Sequence, residues 1–360
     1  MKKLTAMIMA MAMTLSLFAL LTGCGSDPST EGTSGTAAQG GSINAYIWTE
    51  YVPESVIKAF ETETGIKVNA SFYSSNEELY AKLQSESSDA YDIILPSDYM
   101  IEKLVSQDML AALDFSKLEN FKNIGESYKN PEFDPGNVYS VPYLGGVAGI
   151  AVNTAKVTKE VKSYADLFDP AFANSIVALD DSRAVIGLTA RSLGYSMNTA
   201  DAAELDAIAA KLLTLKSNIK LYDSDSPKSA LISGECSLGF AWSAEIALAM
   251  DENADIEIVF PTEGAYLFLD NWAIPKGSAK QDLALQFINY MLKAETMVDV
   301  LAEFPYVNPN EAALALLDES YTGNHAKNIP AEVFAKGEYI KNLDTATQAK
   351  YEEIWTNLKK

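Results

Sequence analysis

Carboxylates and aromatic rings recur side by side along this chain. Trp48, Thr49, Glu50 and Tyr51 stand together, and so do Ser97, Asp98 and Tyr99. Asp180 precedes Asp181, Trp242 leads into Ser243 and Glu245, Phe268 lies two before Asp270, and Tyr306 follows at a distance. An ammonium ion is compact and strongly hydrated, so taking it out of water needs a carboxylate and further hydrogen-bond acceptors. Aromatic faces add apolar walls for methylenes and a cation–π attraction of about 0.5–2 kcal/mol each. Carboxylates spaced along an aromatic-walled slot therefore suit a linear diamine or triamine. The same residues admit a hydrolase, with Asp181 and Asp270 flanking a sugar, because glycoside hydrolysis uses two carboxyls roughly 5–9.5 Å apart.

Other chemistries lack their parts. His325 is the only histidine and Cys24 and Cys236 the only cysteines, so no Cys/His zinc set can be assembled and no metal or cofactor is expected. A Ser-His-Asp or Cys-His system would have to use His325, which lies beside Gly323 and Asn324 in a stretch that reads as an exposed loop. Acids outnumber bases by 49 to 27, a net charge of −22. That sign disfavours nucleic acid and anionic lipid as partners and enriches cations, although it serves solubility equally well.

The residues above gain meaning from the elements that carry them. Residues 43–48 read as a strand, and Pro53 opens a helix with Val56, Ile57 and Phe60 on one face, closed by Gly65. Residues 66–72 alternate as a second strand, a helix starts near Asn76, and residues 93–95 form a short buried strand that stops at Pro96. This β-α-β-α-β order predicts an α/β fold with a parallel, doubly wound sheet. Residues 139–153 carry Gly145, Gly146 and Gly149 among apolar neighbours and read as an extended crossing where torsions can change, a candidate hinge. A second series follows, with strands at 176–179, 219–222, 238–242 and 256–260 and a helix at 202–215. Residues 267–274 are extended again, and helices are expected over 282–303 and 345–358.

Two doubly wound lobes are thus predicted, joined by extended hinge crossings, with ligand groups at the carboxyl ends of strands facing a shared cleft. Lobe 1 is expected to comprise 42–144 and about 272–318, and lobe 2 to comprise 145–271 and about 319–360.

The amino terminus carries an address. Lys2 and Lys3 precede an apolar run over 6–21 that is too short for a comfortable membrane span and reads as a secretory signal. The run ends in Leu20, Leu21, Thr22, Gly23 and Cys24, which resembles the lipobox of bacterial lipoproteins. That resemblance implies cleavage after residue 23 and a lipid on Cys24. Acyl chains contribute about 0.8 kcal/mol per buried methylene, enough to hold a domain on the outer face of a membrane. Loss of residues 1–23 removes Lys2 and Lys3 and no acid, which makes the net charge −24. Residues 24–41 are rich in Ser, Gly, Thr and Ala and read as a flexible linker.

Much of the body is similar to a known family. IWTEYVPESVIKAFETE from Ile47, YDIILPSDYMIEKL from Tyr91 and FDPGNVYSVPYLGG from Phe133 resemble the spermidine/putrescine-binding proteins of bacterial ABC transporters. LDDSR from Leu179, SDSP from Ser224, LGFAWSAE from Leu238 and LDNWAIP from Leu269 extend the match in order across nearly all of 42–360. The resemblance implies a type II periplasmic-binding-protein fold that closes on a polyamine and delivers it to a permease, as a non-enzymatic monomer. It also implies ligand positions: Trp48, Thr49, Tyr51, Ser97, Tyr99, Asp181, Ser224, Trp242, Asp270 and Tyr306. Asp181 and Asp270 would neutralise amines while Trp242 and the tyrosines line the methylene chain. Three positions depart from the family. Ala184 stands where a glutamate is usual, Phe268 where spermidine-preferring members carry tryptophan, and Ile340 where a glutamine is expected. Glu245 lies three residues beyond Trp242, on the same face if a helix starts there, and is the candidate to replace the carboxylate missing at Ala184. Arg183 is expected to support Asp181 without meeting the ligand.

Overall fold

Short apolar runs separated by amphipathic stretches set the layout. The computed structural model describes residues 40–360. Within them the strands are β1 (Gly41–Trp48), β2 (Ile66–Tyr73), β3 (Ile93–Ile94), β4 (Ser140–Asn153), β5 (Ile176–Ala178), β6 (Ile219–Tyr222), β7 (Leu238–Trp242), β8 (Ile256–Val259), β9 (Tyr266–Ala273) and β10 (Glu338–Tyr339). The helix Glu54–Thr64 buries Val56 and Phe60 and ends at Gly65, whose φ of 74° lets its N–H return to the Glu61 carbonyl. The expected signal peptide, Cys24 and all but the last two residues of the expected linker lie outside the described residues.

Strand order explains the two-lobed design. β1 pairs in parallel with β2 and β3, and β5 pairs in parallel with β6 and β7. The two parallel groups have the same internal order, 2-1-3 in sequence terms. Each is continued by one antiparallel crossing strand: β9 beside β3, and β4 beside β7. β4 and β9 pair with each other and join the lobes, so the full path is β2-β1-β3-β9-β4-β7-β5-β6. β8 adds to β4, and β10 to β9. Both crossings are buried along their whole length, as a shared spine must be. Trp272 on β9 is wedged between Tyr143 of β4, at 4.8 Å between ring centres, and Phe287, at 5.5 Å.

The structure amends two expectations. Residues 282–303 are not one helix but two, Gln281–Met291 and Ala294–Glu303. The Leu292 carbonyl accepts hydrogen bonds from the side-chain amides of Asn123 and Asn310, both at a distance in sequence, and Lys293 is extended with ψ 140°. Tertiary donors have captured a carbonyl that a continuous helix would need for itself. The β4 glycines, expected as points of torsional freedom, have ordinary backbone angles and serve close approach instead. A Cβ on Gly145 would lie 2.8 Å from the Phe268 carbonyl oxygen of β9. His325, as expected, is exposed in a turn. Among the described residues, no helix is long and apolar enough to cross a membrane.

Candidate functional site

The carboxyl ends of all six parallel strands converge on one cavity. Trp48 ends β1, Ser74 and Asn76 follow β2, and Ser97 follows β3. From the other lobe Asp181 follows β5, Ser224 follows β6, and Trp242 ends β7. β9 contributes Tyr266, Phe268 and Asp270, and these three share a face because side chains alternate along a strand. Thr49, Glu50, Tyr51, Asp225 and Tyr306 complete the lining.

The aromatic members form a continuous wall. Trp242 meets Phe268 at 5.1 Å and Tyr266 at 5.9 Å between ring centres. Phe268 meets Tyr306 at 6.0 Å, and Tyr306 meets Tyr51 at 4.8 Å. Most of these pairs are edge-to-face, the arrangement that the ring quadrupole favours.

Asp270 is the most tightly held acid. It is buried, and its two oxygens accept from Ser97 Oγ at 2.5 Å and from the Tyr51 hydroxyl at 2.6 Å. Burial raises its carboxyl to about 7, while the Ser97 and Tyr51 hydrogen bonds pull the other way. Asp181 caps the helix Ser182–Ser192 by accepting from the Ala184 N–H at 2.9 Å. Burial, and next the charge of Glu77, raise its carboxyl above the ordinary range. Two polar groups of the lining, the Trp48 indole N–H and the Ser224 hydroxyl, are buried without a hydrogen-bond partner. Glu50 adopts φ 49°, a left-handed conformation uncommon outside glycine, asparagine and aspartate and typical of residues held for a purpose. Aromatic walls, the buried acids Asp181 and Asp270 and the free Ser224 hydroxyl oxygen together suit an organic cation with a methylene chain.

Ten of the twelve expected residues line this cavity: Trp48, Thr49, Tyr51, Ser97, Asp181, Ser224, Trp242, Phe268, Asp270 and Tyr306. Tyr99 does not. Its ring borders a second cavity with Asp98, Glu102 and Ile340, and its hydroxyl donates to Glu77 at 3.1 Å. Glu245 does not either. It lies in the first turn of the helix Ser243–Glu252, as expected, but is buried and accepts from Lys228 Nζ at 3.1 and 2.9 Å. Burial pushes its carboxyl up against the pull of that lysine. Arg183 is buried away from the cavity between the Tyr99 and Tyr351 rings, donating to the Lys341 carbonyl, and its charge opposes the rise of the Asp181 carboxyl without cancelling it. Glu50, Ser74, Asn76, Asp225 and Tyr266 join the lining beyond the expected set. Ser74 and Asn76, after β2, carry neither charge nor ring to mark them in the sequence, and Tyr266 lies two residues before Phe268 on the same strand face.

Comparison with known proteins follows the same lines. Residues 55–329 match the family model of the bacterial extracellular solute-binding proteins. The spermidine/putrescine-binding periplasmic protein of Salmonella typhimurium is 37% identical over 324 residues, 90% of this chain and 93% of that one. A Listeria monocytogenes structure, provisionally assigned as a spermidine/putrescine ABC transporter, superposes with a TM-score of 0.86 at 34% identity and covers 88% of this chain and 98% of that one. The TpPotD lipoprotein of Treponema pallidum superposes with a TM-score of 0.78 at 28% identity, covering 88% and 99%.

Proposed function

This chain belongs to the bacterial extracellular solute-binding proteins, and from that premise we propose that it captures a polyamine, putrescine or spermidine, outside the cytoplasm and hands it to an ABC permease. The observation that carries this reading is that two buried acids, Asp181 after β5 and Asp270 on the crossing strand β9 where Ser97 and Tyr51 hold it, share one cavity with a continuous aromatic wall. Phosphate, sulfate or carboxylate ligands would meet four acids and no lysine or arginine among the lining residues. The relatives named for spermidine and putrescine support the same ligand class.

In this reading Asp270 and Asp181 neutralise terminal amines. Trp242, Phe268, Tyr306 and Tyr51 flank the methylenes, and Thr49, Ser97, Ser224 and the Trp48 end of β1 complete the polar contacts. Residues 42–144 with about 272–318 form one lobe, and 145–271 with about 319–360 the other. β4 and β9 act as the hinge strands, and closure removes water from the amine–carboxylate pairs. Closure strengthens binding only by the ligand's preference for the closed form. The protein performs binding and release without catalysis, as a monomer. Its tether is a lipid on Cys24, supported by the lipobox-like ending of the apolar run and by the lipoprotein relative from Treponema pallidum. Calorimetric titration with putrescine, spermidine, spermine and agmatine tests the ligand class. Saturable one-to-one binding of at least one of them is expected, and no heat from any of them would reject it.

A further inference from the structure

One cation of the chain's own stands beside the cavity. Lys228 lies on a short helix, Lys228–Ile232, four residues past Ser224. Its ammonium contacts Glu245 Oε1 and Oε2 at 3.1 and 2.9 Å and Glu50 Oε2 at 2.8 Å. Glu50 comes from the end of β1 and Glu245 from the helix after β7, so the three residues bridge the two lobes. Glu50 is itself a lining residue, and Glu245 follows the lining residue Trp242 by one helical turn. Tyr306, on the cavity wall, feels the charges of Glu245, Asp270 and Glu50 together. Burial works against the Lys228 charge, but Glu245 and Glu50 outweigh it and hold the ammonium above its ordinary value.

We propose that Lys228 sets ligand length: its ammonium takes the counter-charge of Glu50 and Glu245 at one end of the cavity, so the site selects a diamine over a triamine. The proposal rests on the polyamine reading above. Of the lining acids, Glu50 is committed to Lys228, and Asp225 is an exposed rim residue that already accepts from Ser74 Oγ at 3.1 Å. Among the lining acids, the buried ones without a lysine partner are Asp181 and Asp270, two charges for two ammonium groups. A third ammonium would have to displace Lys228 or lie against it, and a like charge without an acid of its own is disfavoured in a dehydrated site.

The test is calorimetric titration of putrescine and spermidine into the wild-type chain and into Lys228→Met and Lys228→Arg. Wild type should prefer putrescine, and Lys228→Met should raise the ratio of spermidine to putrescine affinity by about tenfold or more, because Glu50 and Glu245 become free. Lys228→Arg keeps the charge and should keep the wild-type ratio, which separates this role from one in folding alone. If Lys228→Met does not fold because Glu245 is left unpaired, Lys228→Met with Glu245→Gln still frees Glu50 and should raise the ratio by about threefold or more. A wild type that prefers spermidine, or a ratio that moves less than about threefold in every folded charge-removing variant, overturns the proposal. If neither amine binds the wild type, the polyamine reading has failed and this proposal falls with it.

Discussion

At the scale of single residues, Asp270 carries the sharpest expectations. Its carboxyl sits at about 7 because it is buried, even with two hydroxyl donors opposing the shift. An acid raised above its unfolded value makes a contribution to stability that is full below about pH 4 and is lost as pH rises through about 7. An ammonium ligand reverses that preference, since it binds the carboxylate. Polyamine affinity should therefore fall by roughly tenfold per unit as pH drops below about 7, and affinity that stays level between about pH 5 and 8 would contradict the assignment. Asp181 is shifted the same way and should steepen the fall. Asp270→Asn should weaken polyamine binding by about tenfold or more in calorimetry at neutral pH, because a charged hydrogen-bond partner is lost. Trp48, Asp181 and Trp242 were legible in the sequence because each lies at the end of an easily marked strand, and Asp270 because it is an acid inside a largely apolar extended run. Lys228 was not: it lies 17 residues from Glu245 and 178 from Glu50, and only the folded chain brings the three together.

At the scale of elements, the site depends on how closely β4 and β9 approach. Gly145 faces the Phe268 carbonyl oxygen, which cannot move without disturbing the β4–β9 pairing. Gly145→Ala should cost about 1–3 kcal/mol and lower the melting temperature by several degrees, and an unchanged melting curve would count against this packing. Gly146 is different, because its added Cβ would meet the Phe268 ring at 3.0 Å and Ser243 Oγ at 2.8 Å. Gly146→Ala should therefore weaken polyamine binding by about threefold or more through the displaced ring, a loss readable in the same titration. The alternation of short strands and helices made both parallel groups legible, and the apolar Gly-containing run marked β4 as a crossing. Its partner β9 was placed to within a residue. The break at Leu292–Lys293 was not legible, since no proline or glycine marks it and its cause is two amides from elsewhere in the chain. The short helix that carries Lys228 likewise has no strong periodicity to reveal it.

At the scale of the whole molecule, two lobes on a shared pair of strands form a device for enclosing a solute. The acidic body suits a cation, and a lipid on Cys24 would keep the loaded receptor near its permease. Cys24→Ala, expressed in a bacterial host, should move the protein from the membrane fraction to the soluble extracytoplasmic fraction, which fractionation and immunoblotting would detect. Saturating polyamine should raise the melting temperature of the wild type by mass action on the folded state, and far less in Asp270→Asn. Fold class and the convergence of strand ends are legible in the alternation of short apolar runs and helices. The engagement of Glu245 by Lys228 could not, because an acid three residues past a tryptophan looks the same whether it faces a ligand or an internal lysine. The most direct measurement of the central claim is calorimetric titration of the purified wild-type protein with putrescine and spermidine at neutral pH. One-to-one binding with a dissociation constant of about 10 μM or tighter for at least one of them is the predicted result, and dissociation constants weaker than about 1 mM for both would contradict it.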